Sequence, residues 1–442
     1  MQTFDMDSAL YDKKLEELFV RFPSVQKVGF TDAYKPGLAH MEEFCALLGH
    51  PDKEYRTIHV AGTNGKGSVA NMLACALAAT GLRVGLYTSP HILDFRERMR
   101  VIEGAGPAAL ISREDVWQFI CTYGEDFDRL DLSFFEITTG MAFKWFADRK
   151  VDLAVIEVGL GGRLDSTNII RPELSIVTSI GLDHCAMLGD TREAIAAEKA
   201  GIFKPGVPAL AGTRDSQTAP VFERTALAHG CQLTFASDNE PEGWSRSADI
   251  LERMDLQGAY QKENLRTVMT ALGILGIDFN AEVREAIVHT AARMDFGGRW
   301  QKLQERPDVI CDIGHNPPAL KKNFAQLEEY LTRGRYARII IVYGVMADKD
   351  LDGILPLMPL EATYITVAPG TTRAMGSDVL YGRCLEGLTA RGVSPDRVIN
   401  GGTVADGVSL ALEMAATDPD NTLIYIGGST FVVSEATPLF KI

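Results

Sequence analysis

The chain has no Cys-x-x-Cys pair, no long apolar run and no excess of positive charge, and each absence removes a class of function. Seven cysteines, Cys45, Cys75, Cys121, Cys185, Cys231, Cys311 and Cys384, are scattered singly along 442 residues. That spacing excludes a zinc ribbon or a dithiol redox motif, and the odd count argues against a disulfide framework. Reduced thiols in a cytoplasmic protein are the expectation. No segment approaches the ~20 consecutive apolar residues of a membrane span, and the first residues lack the basic and apolar regions of a secretory leader. Lys and Arg number 44 against 59 Asp and Glu, a formal net charge of −15, so neither nucleic acid nor a membrane surface is an expected partner. An anionic substrate must therefore meet a local basic pocket. Repeats and low-complexity segments are also missing, and at about 100–200 residues per domain the length predicts two or three domains.

What is present is organised around residues 59–68. Residues 55–61 read as a short buried strand and 69–80 as a helix, joined by Gly62, Thr63, Asn64, Gly65, Lys66, Gly67 and Ser68. Glycines at 62, 65 and 67 let successive backbone N–H groups and the helix N-terminus face an oxyanion. Lys66 adds a full positive charge, and Ser68 adds a hydroxyl able to reach a magnesium ion. The spacing departs from the common phosphate loop, with two rather than four residues before the Gly-Lys pair and Gly67 ahead of the hydroxyl. In a strand-turn-helix setting a triphosphate cradle is favoured over a glycine turn with a solvated lysine.

Other polar residues fall where strands end. A strand from 83 runs to Ser89, with His91 just beyond. The apolar run 151–159 leads into the glycine-rich loop 159–168, and a strand at 174–180 leads to His184 and a helix carrying Glu198 and Lys199. Parallel sheets bind ligands at the carboxyl ends of their strands, so these groups share one rim with the phosphate loop. Ser89-Pro90 taken alone reads rather as a strand stop, and a lone histidine such as His184 is often structural. Glu136 opens the second helix of a pair at 112–149, in apolar surroundings. Burial of an unpartnered polar group costs on the order of 2–7 kcal/mol, so Glu136 needs a partner. A metal ion and a helix N-terminus both qualify.

Helical residues at 7–50 present Tyr11, Leu15, Leu18 and Phe19 on one face and Met41, Phe44, Leu47 and Leu48 on another, separated by a turn-rich stretch at 25–38. Short strands and loops continue to 262, two helices span 263–292, and 294–300 reads as a hinge. Strand-like runs at 309–312, 337–343, 363–367, 397–399 and 422–426 then alternate with helices. The expected fold is α/β: a P-loop-type, mainly parallel sheet domain plus a smaller Rossmann-like C-terminal α/β domain.

Taken together, the motifs resemble the folylpolyglutamate synthase and dihydrofolate synthase group of the Mur ligase family. The matching pieces are the loop 62–68, residues 88–91 with Glu97 and Arg98, 134–136, 157–168, Asp183 with His184, 198–202, 298–300, 312–317, 347–350 and 427–429, in family order. Gly297 stands where relatives often carry proline, and Ile313 and Gly314 where they often carry Gly-Ala. The resemblance implies an ATP-binding central domain at 1–296 with a short helical preface, and a glutamate-ligase domain at 297–442. It implies that residues 62–68, Asn264, Arg299, Asp312 and His315 bind ATP, and that Ser89, Glu136 and His184 bind Mg²⁺. Lys66, Lys199 and His184 are then the expected catalytic side chains, with Lys199 carbamylated on its amine.

The implied reaction converts a pterin or folate carboxylate to an acyl phosphate with ATP, which the amine of L-glutamate then attacks. Such chemistry needs no thiol, so Cys185 beside His184 is expected to be a small packing residue. A monomer is expected. Two rival readings are another Mur-type amino-acid ligase, disfavoured by the 61 residues ahead of Gly62, and a non-catalytic nucleotide-binding switch, for which so many rim carboxylates and a second α/β domain would be superfluous.

Overall fold

The computed structural model describes residues 8–23 and 37–440. Most of the turn-rich stretch expected at 25–38 lies outside them. The chain forms two compact units, one comprising residues up to Asp255 together with Gln261–Asp295, the other Leu256–Tyr260 together with residues from Phe296 onward.

Among the described residues, the first unit is built on an eight-stranded sheet. Its strands are β1 (Arg56–Ala61), β2 (Arg83–Tyr87), β3 (Met99–Glu103), β4 (Ala109–Leu110), β5 (Leu153–Glu157), β6 (Leu174–Val177), β7 (Ala209–Ala211) and β8 (Leu233–Phe235). They lie in the order β4-β3-β2-β5-β1-β6-β7-β8. From β2 to β8 the neighbours pair in parallel, whereas β3 and β4 are antiparallel additions at one edge. β5 is buried at every residue and β1 at all but its first, as expected for parallel strands covered on both faces. Connections leave β1 toward β2 and β5 toward β6, in opposite directions along the sheet, and such a reversal opens a crevice at the carboxyl ends.

β3 was not legible as a strand, because Arg98 just ahead of it and Arg100 within it break the apolar pattern. Both are nonetheless buried. Arg98 Nε donates to His91 Nδ1 at 2.9 Å and its guanidinium lies 5.3 Å from the centre of the Phe134 ring. The helices Ser8–Arg21 and Ala39–Leu47 pack Tyr11, Leu18, Met41 and Phe44 into an aromatic cluster with Phe119, Phe127 and Phe143. Leu47, expected on the buried face, is 38% exposed; Cys45 is buried from that helix instead.

The second unit holds, among the described residues, a six-stranded sheet of β9 (Gln301–Glu305), β10 (Asp308–Asp312), β11 (Arg338–Tyr343), β12 (Thr363–Ala368), β13 (Val398–Thr403) and β14 (Thr422–Gly427). The order is β13-β12-β11-β14-β10-β9, parallel except for β9. Tyr343, Tyr364 and Tyr425 are fully buried in its core. Residues 256–260, inside the stretch the sequence assigned to the first domain, are bound here: Ala259 N donates to Gln326 Oε1 at 2.7 Å and Gln326 Nε2 donates to Gln257 O at 3.1 Å.

Candidate active site

The loop between β1 and the helix Lys66–Ala78 is held by the loop that follows β6. Thr63 N donates to Ser179 O at 2.8 Å, Thr63 Oγ1 to Gly181 O at 3.1 Å, and Asn64 N to Ser179 Oγ at 3.1 Å. Thr178 Oγ1 and Ser179 Oγ both donate to Asn64 O, at 2.7 and 2.9 Å. Two glycines make this approach possible. At Gly62 (φ 149°) a Cβ would stand 1.9 Å from Thr178 Oγ1, and at Gly65 (φ 89°) 2.4 Å from Asn264 Oδ1. The result is a preorganised turn whose helix N-terminus offers free N–H groups to an anion. Lys66 Nζ donates to Gly62 O at 3.0 Å and to Thr63 O at 3.4 Å, so its ammonium already lies over the turn. Ser68 is 2% exposed, and its Oγ accepts from Gln261 Nε2 at 3.2 Å.

Two further strand ends converge beside this loop. Ser89 follows β2, and its N–H donates at 3.2 Å to Oε2 of Glu157, the last residue of β5. Because β5 lies between β2 and β1, with Glu157 paired in register to Val60, its buried carboxylate stands between Ser89 and the phosphate loop. Glu136 is elsewhere engaged. It is the N3 residue of a capping box in which its Oε2 accepts from Ser133 N at 2.7 Å while Ser133 Oγ accepts from Glu136 N. Its burial is thus explained by backbone donors at a helix start without requiring a metal ion, and Glu157, on the rim beside Ser89, stands as a further candidate for a metal site. Sequence reasoning did not single out Glu157, although an acid ending an otherwise apolar strand on the rim was a signal available for it.

His184 caps the short helix Cys185–Leu188 in the left-handed region (φ 53°), with its Nε2 3.8 Å from Asp183 Oδ2. Lys199, 4% exposed, has its pKa lowered to about 7, first by burial and then by the charge of Lys66, with Asp183 and Asp165 opposing. That combination brings four sequence-identified groups, from 62–68, 157–168, 181–184 and 198–202, within electrostatic reach of one another. Burial pushes the Asp165 carboxyl upward against hydrogen bonds from Thr167 and the backbone. Thr167 Oγ1 in turn meets His59 Nε2 at 2.8 Å, and burial drives His59 down to about 3, leaving it a neutral imidazole. Among the described residues no three His, Cys, Asp or Glu side chains gather as a ready-made metal cage.

In the second unit, Asp312 ends β10 and its carboxylate is saturated. Oδ1 accepts from Gly314 N and Asn323 Nδ2, both at 2.7 Å, and Oδ2 from Tyr260 Oη at 2.7 Å and Trp300 N at 2.9 Å. Four donors fill the acceptor capacity of a carboxylate, so in this structure Asp312 fixes its own loop. Gly314 permits the tight turn, since a Cβ there would lie 2.9 Å from Asp312 Oδ1. Arg299 Nη1 donates to Gly297 O and Gly298 O at 3.2 and 3.3 Å, with the guanidinium 4.7 Å from the centre of the Phe296 ring. His315 Nδ1 lies 3.0 Å from Ile313 O.

Comparison with known proteins gives two family matches, the Mur ligase middle domain over residues 109–280 and the Mur ligase glutamate ligase domain over 298–429. The dihydrofolate synthase/folylpolyglutamate synthase of Bacillus subtilis is 34% identical over 356 residues, covering 76% of this chain and 81% of its own. Among solved structures, Mycobacterium tuberculosis folylpolyglutamate synthase complexed with ADP superposes with a TM-score of 0.82 at 26% identity, over 99% of each chain. A bifunctional folylpolyglutamate synthase/dihydrofolate synthase from Yersinia pestis, complexed with AMPPNP and Mn ion, does so at 0.77 and 25% identity, over 97% of each.

Proposed function

The chain belongs to the folylpolyglutamate synthase/dihydrofolate synthase family of Mur ligases, and from that membership we propose that it joins L-glutamate to the carboxylate of dihydropteroate or of a folate, using ATP. The observation that carries the assignment of its residues is the stapled loop 62–65 with Lys66 above it and a buried lysine of depressed pKa alongside. A carboxylate is a poor electrophile, so ATP first converts it to an acyl phosphate. The glutamate amine then adds to the acyl carbon, and the tetrahedral species collapses with loss of phosphate.

Residues 62–68 bind the β- and γ-phosphates through backbone N–H groups and the helix N-terminus. Lys66 exchanges its carbonyl contacts for the γ-phosphoryl oxygens, where it offsets the charge that develops during transfer. Asn264, Arg299 and His315 remain assigned to nucleotide binding. Glu157, the Ser68 and Ser89 hydroxyls and the imidazole of His184 form a set that fits a hard divalent ion drawing its other ligands from phosphate and water. Such an ion, Mg²⁺ in this reading, supplies Lewis-acid neutralisation of the phosphates.

Lys199 has a separate chemistry. With a pKa of about 7, about half of its amines are neutral at pH 7, against roughly one in three thousand for an ordinary lysine. A neutral amine adds to carbon dioxide, forming an N–C bond and releasing one proton, and the resulting carbamate places a negative charge beside Lys66. In that state Lys199 attracts the metal ion or the glutamate ammonium group instead of repelling it. We assign the enzyme to the cytoplasm as a monomer; no helix among the described residues is long and apolar enough to cross a membrane.

The test is phosphate release from ATP measured with a panel of pterin and folate acids, with products resolved by mass. Release requires both the acid and L-glutamate, and each product gains one glutamyl residue. Lys66→Ala abolishes it. Near-normal turnover in that variant, or release without glutamate, overturns the reading.

A further inference from the structure

We infer that Gln261 is a positioning residue for the phosphate loop, its side-chain amide orienting the Ser68 hydroxyl toward the triphosphate and its divalent ion. The inference rests on the ligase reading above and concerns only residues of the first unit. Gln261 opens the helix Gln261–Ile274 and is fully buried, a placement that costs free energy unless both ends of the amide are bonded. Both ends are bonded, in a directed chain. Asn264 Nδ2 donates to Gln261 Oε1 at 2.8 Å, and Gln261 Nε2 donates to Ser68 Oγ at 3.2 Å.

The direction matters because a hydroxyl has one proton and two lone pairs. With one lone pair engaged by Gln261, Ser68 keeps its proton for a phosphate oxygen and its second lone pair for a cation. Were the Gln261 amide reversed, its carbonyl would take the Ser68 proton and its NH₂ would face the Asn264 NH₂. Asn264 therefore locks the orientation from behind. It is itself located by the turn, since its Oδ1 occupies the space that a Cβ on Gly65 would enter at 2.4 Å. Lys66 supplies charge without direction; the Asn264–Gln261–Ser68 chain supplies direction without charge.

Gln261→Met keeps the side-chain length and removes both hydrogen-bonding ends. Calorimetric binding of AMPPNP in excess Mg²⁺ is compared for the unmodified protein, Gln261→Met, Ser68→Ala and the double variant. Loss of the oriented hydrogen bond predicts about tenfold weaker binding for Gln261→Met, and a double variant no weaker than Ser68→Ala alone, because the two act as one unit. With the metal chelated, the gap between Gln261→Met and the unmodified protein narrows, because only the hydrogen bond from Ser68 to phosphate is then at stake. Gln261→Glu, which retains shape but accepts the Ser68 proton, weakens Mg²⁺-dependent binding further than methionine does and guards against a variant that fails to fold. Additive losses in the double variant, or unweakened binding by Gln261→Met, overturn the inference while leaving the ligase reading intact. An unmodified protein that does not bind AMPPNP overturns both.

Discussion

Replacing Lys199 by methionine should abolish ligation and yet make the unliganded protein more stable. The lysine is 4% exposed and its pKa falls from 10.5 to about 7 on folding. Because the folded-state value is the lower one, the unfolded chain holds the proton more tightly. Lys199 therefore imposes no penalty above the unfolded value, and the penalty grows as pH falls toward the folded one. At 1.36 kcal/mol per pKa unit the cost is about 2 kcal/mol at pH 9 and about 4 kcal/mol at pH 7. Methionine has a similar shape and no charge, so the variant recovers that cost and also relieves Lys66 of a like-charged neighbour. At about 2 °C per kcal/mol for a large domain, the first unit of Lys199→Met melts about 8 °C higher at pH 7, in buffer purged of carbon dioxide so that the unmodified amine is compared. The difference between the two proteins shrinks toward pH 9. Equal melting temperatures at pH 7, or a difference that does not narrow with rising pH, refute the reasoning.

Glu157→Gln should lower metal-dependent turnover by about two orders of magnitude, the scale of losing one group matched to transition-state charge, whereas Glu136→Gln stays within about threefold because glutamine also serves a capping box. The opposite ranking in phosphate-release assays restores Glu136 to the metal site. Gly65→Ala puts a methyl group 2.4 Å from Asn264 Oδ1 at a φ of 89°; strain of about 1–3 kcal/mol should appear as a lower melting temperature and weaker AMPPNP binding. Asp312→Asn turns an acceptor toward donors it can no longer satisfy, and denaturant titration should show the second unit destabilised by about 2–4 kcal/mol. An unchanged midpoint would mean that Asp312 is not the anchor of its loop.

The strand-turn-helix around residues 62–68 was legible because a buried apolar strand, closely spaced glycines and a helical run follow one another there. The rim was legible because strand ends in a parallel sheet are easy to locate. For Glu136 the sequence left a metal ion and a helix N-terminus both open, and the Ser133-x-x-Glu136 spacing already names the backbone groups of the second. Gln261 had no sequence signal, since a neutral amide becomes informative only when its two partners, 193 and three residues away, are known. The same holds for Asp312, whose four donors come from residues 260, 300, 314 and 323. β3 escaped notice because Arg100, within it, is buried by a contact distant in the sequence, its Nη2 donating to Asp295 O at 3.2 Å.

The backbone passes between the two units three times, after residues 255, 260 and 295, so no single cut separates them. A fragment beginning at Phe296 would lack Tyr260 and the backbone donor of Ala259, leaving Asp312 and Gln326 without those partners. The complementary fragment would carry a five-residue excursion with nothing to hold it. Synthesis in order therefore leaves residues 256–260 waiting until β10 and the helix Pro317–Thr332 have been made, so the second unit begins to be made before the first is finished and is completed long after it.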